Sequence, residues 1–199
     1  IAVEREAEYI SSVNTDNYMG ALQATSLLIR DKCDILIHIN VNVNKSIPAY
    51  DRIRAFQATC EEYHVPYDID LSVKGDSYHE LLDVIREIFN KIEAKYPNQK
   101  KGIFLANDTY ANMFLNLIFQ KYGTFPSTYE IVGFDNSPIA SEAILPITTI
   151  GQQIDVIAKT AMDLLVQQME EQKKRVPKPL GEPIHKQITP ILIRRNTTE

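Results

Sequence analysis

Apolar residues follow two different patterns along the chain. In the segment 77–92 they recur every three or four positions, which is the spacing of a helix with one buried face. Ser77 and Glu80 stand at its start with the spacing of a capping box, which marks the first turn. The apolar positions of this predicted helix are Leu81, Leu82, Ile85, Ile88, Phe89 and Ile92.

The second pattern consists of short runs of consecutive apolar residues, which predict buried strands. They lie at 34–40, 67–71, 102–106 and 131–134. Segments with helical spacing separate or follow these runs, at 17–30, 49–64, 77–92 and 109–122. Because strands alternate with helices, we predict an α/β fold in which helices sandwich a parallel sheet in three layers.

The two ends of the chain fit this pattern less closely. Short extended segments at 1–4 and 9–14 resemble strands of a second sheet. A helix is predicted from 153 to about 174, with Ile154, Ile157, Ala158, Ala161, Leu165 and Met169 on its buried face. One or two closing strands are expected within 184–195.

Composition and charge narrow the class of protein. The chain has 199 residues, 44% of them hydrophobic, and a net charge of −5. This acidic balance argues against the chain binding a phosphate backbone by itself. No apolar run approaches the about 20 residues of a membrane span, and no signal peptide is visible. We therefore expect a cytoplasmic protein without membrane contact, and the initial Ile1 suggests a fragment.

Cofactor chemistry has little support in the sequence. Cys33 and Cys60 are far apart, and the four histidines lack the spacing of metal ligands, so we expect reduced cysteines and no metal. The phosphate-binding loop, the dinucleotide fingerprint, the nucleophile elbow and H-E-x-x-H are all absent. We therefore expect no cofactor and no enzymatic activity.

Polar pairs follow two of the predicted strands. Asn107 and Asp108 end one strand, and Asp135 and Asn136 end the next. Ligands of open α/β sheets bind at the carboxyl ends of strands, so these side chains are candidates for gripping a hydroxylated small molecule. Helix caps or Asx-turns would use the same residue types. Asp108 and Asp135 could also form an acid and base pair if the fold held them at a suitable separation.

Arg52 and Gln152 are further candidates. Arg52 follows the strand at 34–40, and Gln152 lies where the chain leaves the segment 148–150. Arginine binds hydroxyl groups or a planar base through charge-assisted hydrogen bonds. The alternative for Arg52 is a surface ion pair with Asp51 or Glu61.

Several ordered motifs resemble those of the lactose-repressor and galactose-repressor family of bacterial transcription regulators. The motifs are DNYMGALQATSLLI, RIRAF, FLANDTYA, EIVGFDNSPI with PITTIGQ, and PILIRRNTTE. The resemblance extends from Val3 to Thr198. It implies the type I periplasmic-binding-protein fold, in which two α/β lobes are linked by three crossovers, with a DNA-binding head upstream.

The resemblance also implies functions for individual residues. Arg52 corresponds to the arginine of R-x-x-G-F, although Ala55 replaces the glycine. Asn107 and Asp135 correspond to cleft residues that bind sugar hydroxyls or a purine. The remaining effector-binding residues that it implies are Gln152, after T-T-I, and, more weakly, Glu4 and Leu71, where an aliphatic side chain would lack a stacking surface.

Finally, the resemblance implies a division of the chain. Residues 16–148 and 180–199 would form the C-terminal lobe, and 1–14 with 151–172 would be remnants of an incomplete N-terminal lobe. The expected function is sensing of a small effector, with a sugar favoured over a purine. Lobe closure would then act, in a homodimer, on operator DNA through a head absent from this chain. A solute-binding protein of a sugar transporter is the alternative.

Overall fold

A computed structural model describes residues 1–5, 8–41, 47–173 and 181–199. The chain folds into two compact units. The small unit comprises Ile1–Asp16 and Gln152–Pro190, and the large unit comprises Asn17–Gly151 and Ile191–Glu199. The chain therefore passes from one unit to the other three times.

The elements follow one another in the order β1, β2, α1, β3, α2, β4, α3, β5, α4, β6, α5, β7, α6, β8, β9. Their bounds are β1 Ala2–Val3, β2 Ser12–Thr15, α1 Asn17–Arg30, β3 Ile35–Val41, α2 Ile47–Glu62, β4 Tyr67–Val73, α3 Tyr78–Lys95, β5 Lys101–Leu105, α4 Asp108–Tyr122, β6 Tyr129–Asp135, α5 Pro138–Glu142, β7 Thr148–Gly151, α6 Ile154–Gln172, β8 His185–Ile188 and β9 Ile191–Ile193.

The large unit is built on a six-stranded sheet with the order β4-β3-β5-β6-β7-β9. The first five strands are parallel, and β9 pairs antiparallel with β7. Since side chains alternate across a strand, β3 directs Ile35, Ile37 and Ile39 to one face and Leu36 to the other. Helices α3 and α4 pack on the first face, and α1 and α2 pack on the second.

The small unit contains a three-stranded parallel sheet with the order β1-β2-β8. Its buried cluster consists of Val13 with Ile157, Ala161 and Leu164 of α6. A second stripe of α6 is apolar yet solvent-exposed. This α6 stripe consists of Ile154, Met162, Leu165, Val166 and Met169.

The predicted strands and helices are present within a few residues of their expected bounds. Two predictions were wrong in detail. The buried face of α6 includes Leu164, whereas Ile154, Leu165 and Met169 are exposed. The boundary placed at 180 is also wrong, because β8 pairs with β2 in the small unit and the chain enters the large unit at Ile191.

In the part of the chain that the structure describes, each helix is too short or too polar to cross a lipid bilayer.

Candidate functional site

The carboxyl ends of β3, β4, β5, β6 and β7 lie at one edge of the large unit's sheet, because these strands run parallel. Ligands of open α/β sheets bind at this edge. We call it the strand-end edge. Asn107 follows β5, Asp135 ends β6, and Leu71 lies near the end of β4. Arg52 reaches the edge from α2.

Arg52 is anchored at the strand-end edge on three sides. Its Nε donates to Asn17 Oδ1 over 2.8 Å, and its Nη1 donates to the carbonyl oxygen of Ala106. The guanidinium carbon lies 3.5 Å from the centre of the Phe134 ring, a cation–π contact. The surface ion pair is instead made by Arg54, which lies 3.6 Å from Asp51. Arg52 therefore extends from within α2 to the ends of β5 and β6, and its contact with an effector stays a prediction.

Asp135 ends β6 in an unusual backbone conformation. Its φ is 104°, and the φ of Asn136 is 56°. A φ of 56° is one that asparagine readily adopts, whereas a φ of 104° is strained for a residue other than glycine, and such strain clusters at functional sites. Asn136 accepts a hydrogen bond from Arg195, and its backbone N–H reaches Thr149 Oγ1 over 3.4 Å. These contacts stabilise the turn that presents the partly buried Asp135.

Asp108 is a structural residue. Its Oδ2 accepts hydrogen bonds from the backbone and hydroxyl of Ser137, at 2.7 and 3.1 Å, and its Oδ1 accepts one from Thr149 at 2.6 Å. The side chain is buried, and burial raises the pKa of the carboxyl, although these hydrogen bonds lower it. Both oxygens are thus occupied inside the fold. This geometry argues against an acid and base pair with Asp135.

Asn107 provides the N-cap of α4. Its Oδ1 accepts the backbone N–H of Tyr110 over 2.9 Å. The side-chain oxygen of Asn107 therefore acts as a helix cap, which was the alternative function. A contact of its amide nitrogen with an effector stays a prediction.

His38 and Asn40, which the sequence analysis did not single out, form a buried polar chain on β3. His38 Nδ1 lies 2.9 Å from the carbonyl oxygen of Phe104, so this nitrogen carries the proton, and Asn40 Nδ2 lies 3.0 Å from Nε2. Burial, with a smaller contribution from the positive charge of Arg52, lowers the pKa of His38 to about 3, which keeps the ring neutral. Neutral His38 can therefore accept from Asn40 beside Arg52.

Leu71 lies near the end of β4 and lines a groove at the strand-end edge. It contributes an apolar wall and no polar contact. The structure thus places Leu71 at the same edge as Arg52 and Asp135, on the outermost strand of the sheet.

Glu4 and Gln152, two of the predicted site residues, belong to the small unit, and both form hydrogen bonds with Thr15. Glu4 Oε1 accepts the backbone N–H of Thr15 at 2.6 Å and its hydroxyl at 2.9 Å. Thr15 Oγ1 also lies 3.0 Å from Gln152 Oε1. Glu4 and Gln152 therefore meet at the carboxyl ends of β1 and β2, and Thr15 is the member that the sequence analysis missed.

The described residues contain no group of three or more histidine, cysteine or acidic side chains arranged to hold a metal ion. The polar groups at the strand-end edge are instead hydrogen-bonding side chains, suited to an organic ligand.

Comparison with known proteins gives one matching family model, the periplasmic binding protein-like domain, over residues 28–198. The ribose operon repressor of Halalkalibacterium halodurans is 27% identical over 198 residues, covering 99% of this chain and 56% of that protein. This chain thus spans about half the length of the curated relatives that it matches.

Solved structures share the fold. The transcriptional regulator CelR in complex with cellobiose superposes with a TM-score of 0.78 at 20% identity, covering 96% of this chain and 55% of that one. A periplasmic binding protein/LacI transcriptional regulator from Alkaliphilus metalliredigens, complexed with D-xylulofuranose, gives 0.78 at 23% identity, covering 100% and 70%. These matches confirm the fold that the resemblance implied.

Proposed function

Because the chain belongs to the periplasmic binding protein-like domain family, we propose that it is the effector-sensing part of a bacterial transcription regulator. The effector that we propose is a sugar. Its support is that curated relatives are named as ribose and sucrose operon repressors, and that related structures were solved with cellobiose or ribose.

The observation that carries the proposal is the placement of Arg52 and Asp135. Arg52 reaches the ends of β5 and β6 from α2, and Asp135 ends β6 with a strained φ of 104°. A guanidinium and a carboxylate so placed can bind sugar hydroxyls through charge-assisted hydrogen bonds. We propose Asn107 and Leu71 as further contacts of the large unit, and Glu4 and Gln152 as contacts of the small unit.

We further propose that this chain is part of a longer protein. That protein is a cytoplasmic homodimer, is not an enzyme, and contacts operator DNA through a head outside this chain. The absence of enzymatic activity is supported by Asp108, whose two oxygens are occupied by Ser137 and Thr149. Effector binding would shift the equilibrium between two conformations and thereby change DNA affinity.

We also propose that the small unit is part of a lobe completed by residues outside this chain. This proposal is supported by the exposed α6 stripe and by the 56% coverage of the ribose operon repressor. The chain alone should then bind the effector more weakly than the longer protein. Calorimetry on both would contradict this expectation if the two affinities were equal.

The experiment that tests the function is a thermal-shift screen of the longer protein against sugars and purines, followed by titration of variants. Asp135→Asn should weaken effector binding by about tenfold or more, because it removes a charge-assisted hydrogen bond. Asp51→Asn is the matched control, since Asp51 is the neighbour of Arg52 in sequence but pairs with Arg54.

Equal effects of the two substitutions would contradict a direct contact of Asp135. A response to purines and to no sugar would contradict the proposed effector class. Turnover of a glycoside, lost in Asp135→Asn, would show that the protein is an enzyme instead.

A further inference from the structure

The large unit contains a groove that extends the strand-end edge beyond Leu71. Its volume is about 1050 Å³, and it follows the end of β4 and the first turns of α3. Its apolar wall consists of Val41, Leu71, Val73 and Val84.

The charged side chains of this groove are mostly acidic. Asp76, Glu80 and Asp83 contribute carboxylates, and Lys74 contributes an ammonium group, among the lining residues that the structure describes. All four are solvent-exposed. The groove therefore has a negative potential, which repels anions.

The N-terminus of α3, which borders the groove, is occupied by the protein's own side chains. The carboxylate of Glu80 accepts the backbone N–H of Asp76 over 2.9 Å, and Ser77 Oγ accepts the N–H of Glu80 over 3.3 Å. Free amides at a helix start commonly bind phosphate. Here the N–H of Glu80 is already satisfied by Ser77, and the Glu80 carboxylate lies against the backbone just before the helix.

The sheet order sets the distance from this groove to the proposed effector contacts. Strand β3, whose Val41 lines the groove, is next to β5, and β5 is next to β6. Neighbouring strands lie about 4.8 Å apart, so Asp135 at the end of β6 is on the order of 10 Å from Val41. The carboxylates of the groove follow β4, the next strand outward, and so lie on the order of 14 Å or more from Asp135. Charges at this separation interact at low ionic strength, because the Debye length is about 30 Å at 0.01 M salt.

We propose that this acidic groove selects the effector by charge. It accepts neutral and amine-bearing sugars and discriminates against phosphorylated or carboxylated sugars. This inference rests on the proposed function, because it concerns the sugar bound at Arg52 and Asp135. A phosphate has nearly two negative charges at neutral pH and meets several carboxylates at once, so we expect roughly tenfold weaker binding of a sugar phosphate at low salt.

The test starts from the neutral sugar that gives the largest thermal shift in the screen, with D-ribose and D-glucose included in the panel. Its dissociation constant is compared with those of its terminal phosphate and of its amino derivative, for example glucose 6-phosphate and glucosamine. NMR titration of the protein at millimolar ligand measures all three, including weak binding. We expect the phosphate to bind about tenfold more weakly, and the amino sugar at least as tightly as its parent.

Two further measurements locate the discrimination in the groove. Asp76→Asn combined with Asp83→Asn should bring the ratio of the two dissociation constants, phosphate over neutral sugar, close to one. Glu62→Gln combined with Glu87→Gln removes the same charge from exposed sites that do not line the groove, and should leave the ratio unchanged. In the unmutated protein, raising the salt concentration should also shrink the ratio.

The outcomes separate the two proposals. If no sugar binds, the proposed function fails and this inference fails with it. If a neutral sugar binds and its phosphate binds equally well or more tightly, the charge selection alone is wrong. A preference that is insensitive to salt, or that the groove and control variants change equally, also overturns the groove assignment.

Discussion

Glu130 is a buried carboxyl at the amino end of β6, the opposite end of the strand from Asp135. Its Oε1 lies 2.7 Å from Lys100 Nζ, and its side chain is almost inaccessible to solvent. Burial raises the pKa of Glu130 from 4.5 to about 7; Lys100 lowers it, and nearby Asp31 raises it. Glu130 therefore exchanges a proton in the physiological range, although it is far along the strand from the candidate site.

The sign of the resulting pH dependence follows from this shift. Between pH 4.5 and about 7 the folded state binds the proton that the unfolded state releases, so the contribution of Glu130 to stability falls as the pH rises. Glu130→Gln should remove this loss. Relative to the unmutated chain, we expect its unfolding free energy to rise by roughly 2 kcal/mol between pH 5 and pH 8.

Urea unfolding at both pH values measures this difference. In the variant Lys100 retains Glu199, 3.2 Å away, and the carbonyl oxygen of Asp31. Glu87→Gln on the exposed side of α3 is the control, and its stability difference should stay constant with pH. A constant difference for Glu130→Gln as well would contradict the prediction.

At the scale of elements, α4 and β6 are joined by one close approach. A methyl group at Gly133 would lie 2.3 Å from Asp108 Oδ1, which is far inside van der Waals contact. Because Asp108 also binds Ser137 and Thr149, the glycine of the G-F-D motif allows one carboxylate to connect α4, β7 and the turn before α5. Asp108 of the segment FLANDTYA and Gly133 of the segment EIVGFDNSPI therefore depend on each other through packing.

We predict that Gly133→Ala destabilises the chain by about 3 kcal/mol or more, because Asp108 must move and lose buried hydrogen bonds. Gly181→Ala is the matched control, since a methyl group there meets no atom within 4 Å. Chemical unfolding of both variants measures the effect. A loss for Gly133→Ala no larger than that for Gly181→Ala would show that Asp108 can shift freely.

At the scale of the whole molecule, the two units have cores of very different size. The large unit buries two apolar clusters, one on each face of its sheet, whereas the buried cluster of the small unit consists of Val13, Ile157, Ala161 and Leu164. Burial of apolar surface is the main favourable term in folding, so the small unit has much less of it. The exposed α6 stripe adds to this deficit.

Hydrogen exchange should reveal this difference. We predict that the backbone amides of β2 and α6 exchange through openings of much lower free energy than those of β3, β5 and β6. Mass spectrometry of labelled peptides from the two units measures both. Equal protection in the two units would contradict the prediction and would indicate that they unfold as one.

Local pattern was sufficient for much of this protein. Helix α3 was predictable because its apolar residues repeat every three or four positions and Ser77 caps its first turn. The strands β3, β5 and β6 were predictable because both of their faces are buried. Arg52, Asn107, Asp108 and Asp135 could be chosen as candidates because polar residues at strand ends stand out from the apolar runs that precede them.

Other features depend on contacts between residues far apart in sequence. The partner of β2 is β8, more than 170 residues away, so no local pattern could assign residues 185–188 to the small unit. The structural role of Asp108 depends on the donors that the fold brings to its carboxylate, and the pair Glu4 and Gln152 depends on Thr15. Sequence alone determined the fold class and the candidate residues, because burial imposes a periodic pattern. Only the tertiary structure decided the unit boundary, the buried Asp108 and the acidic groove, because these depend on long-range packing.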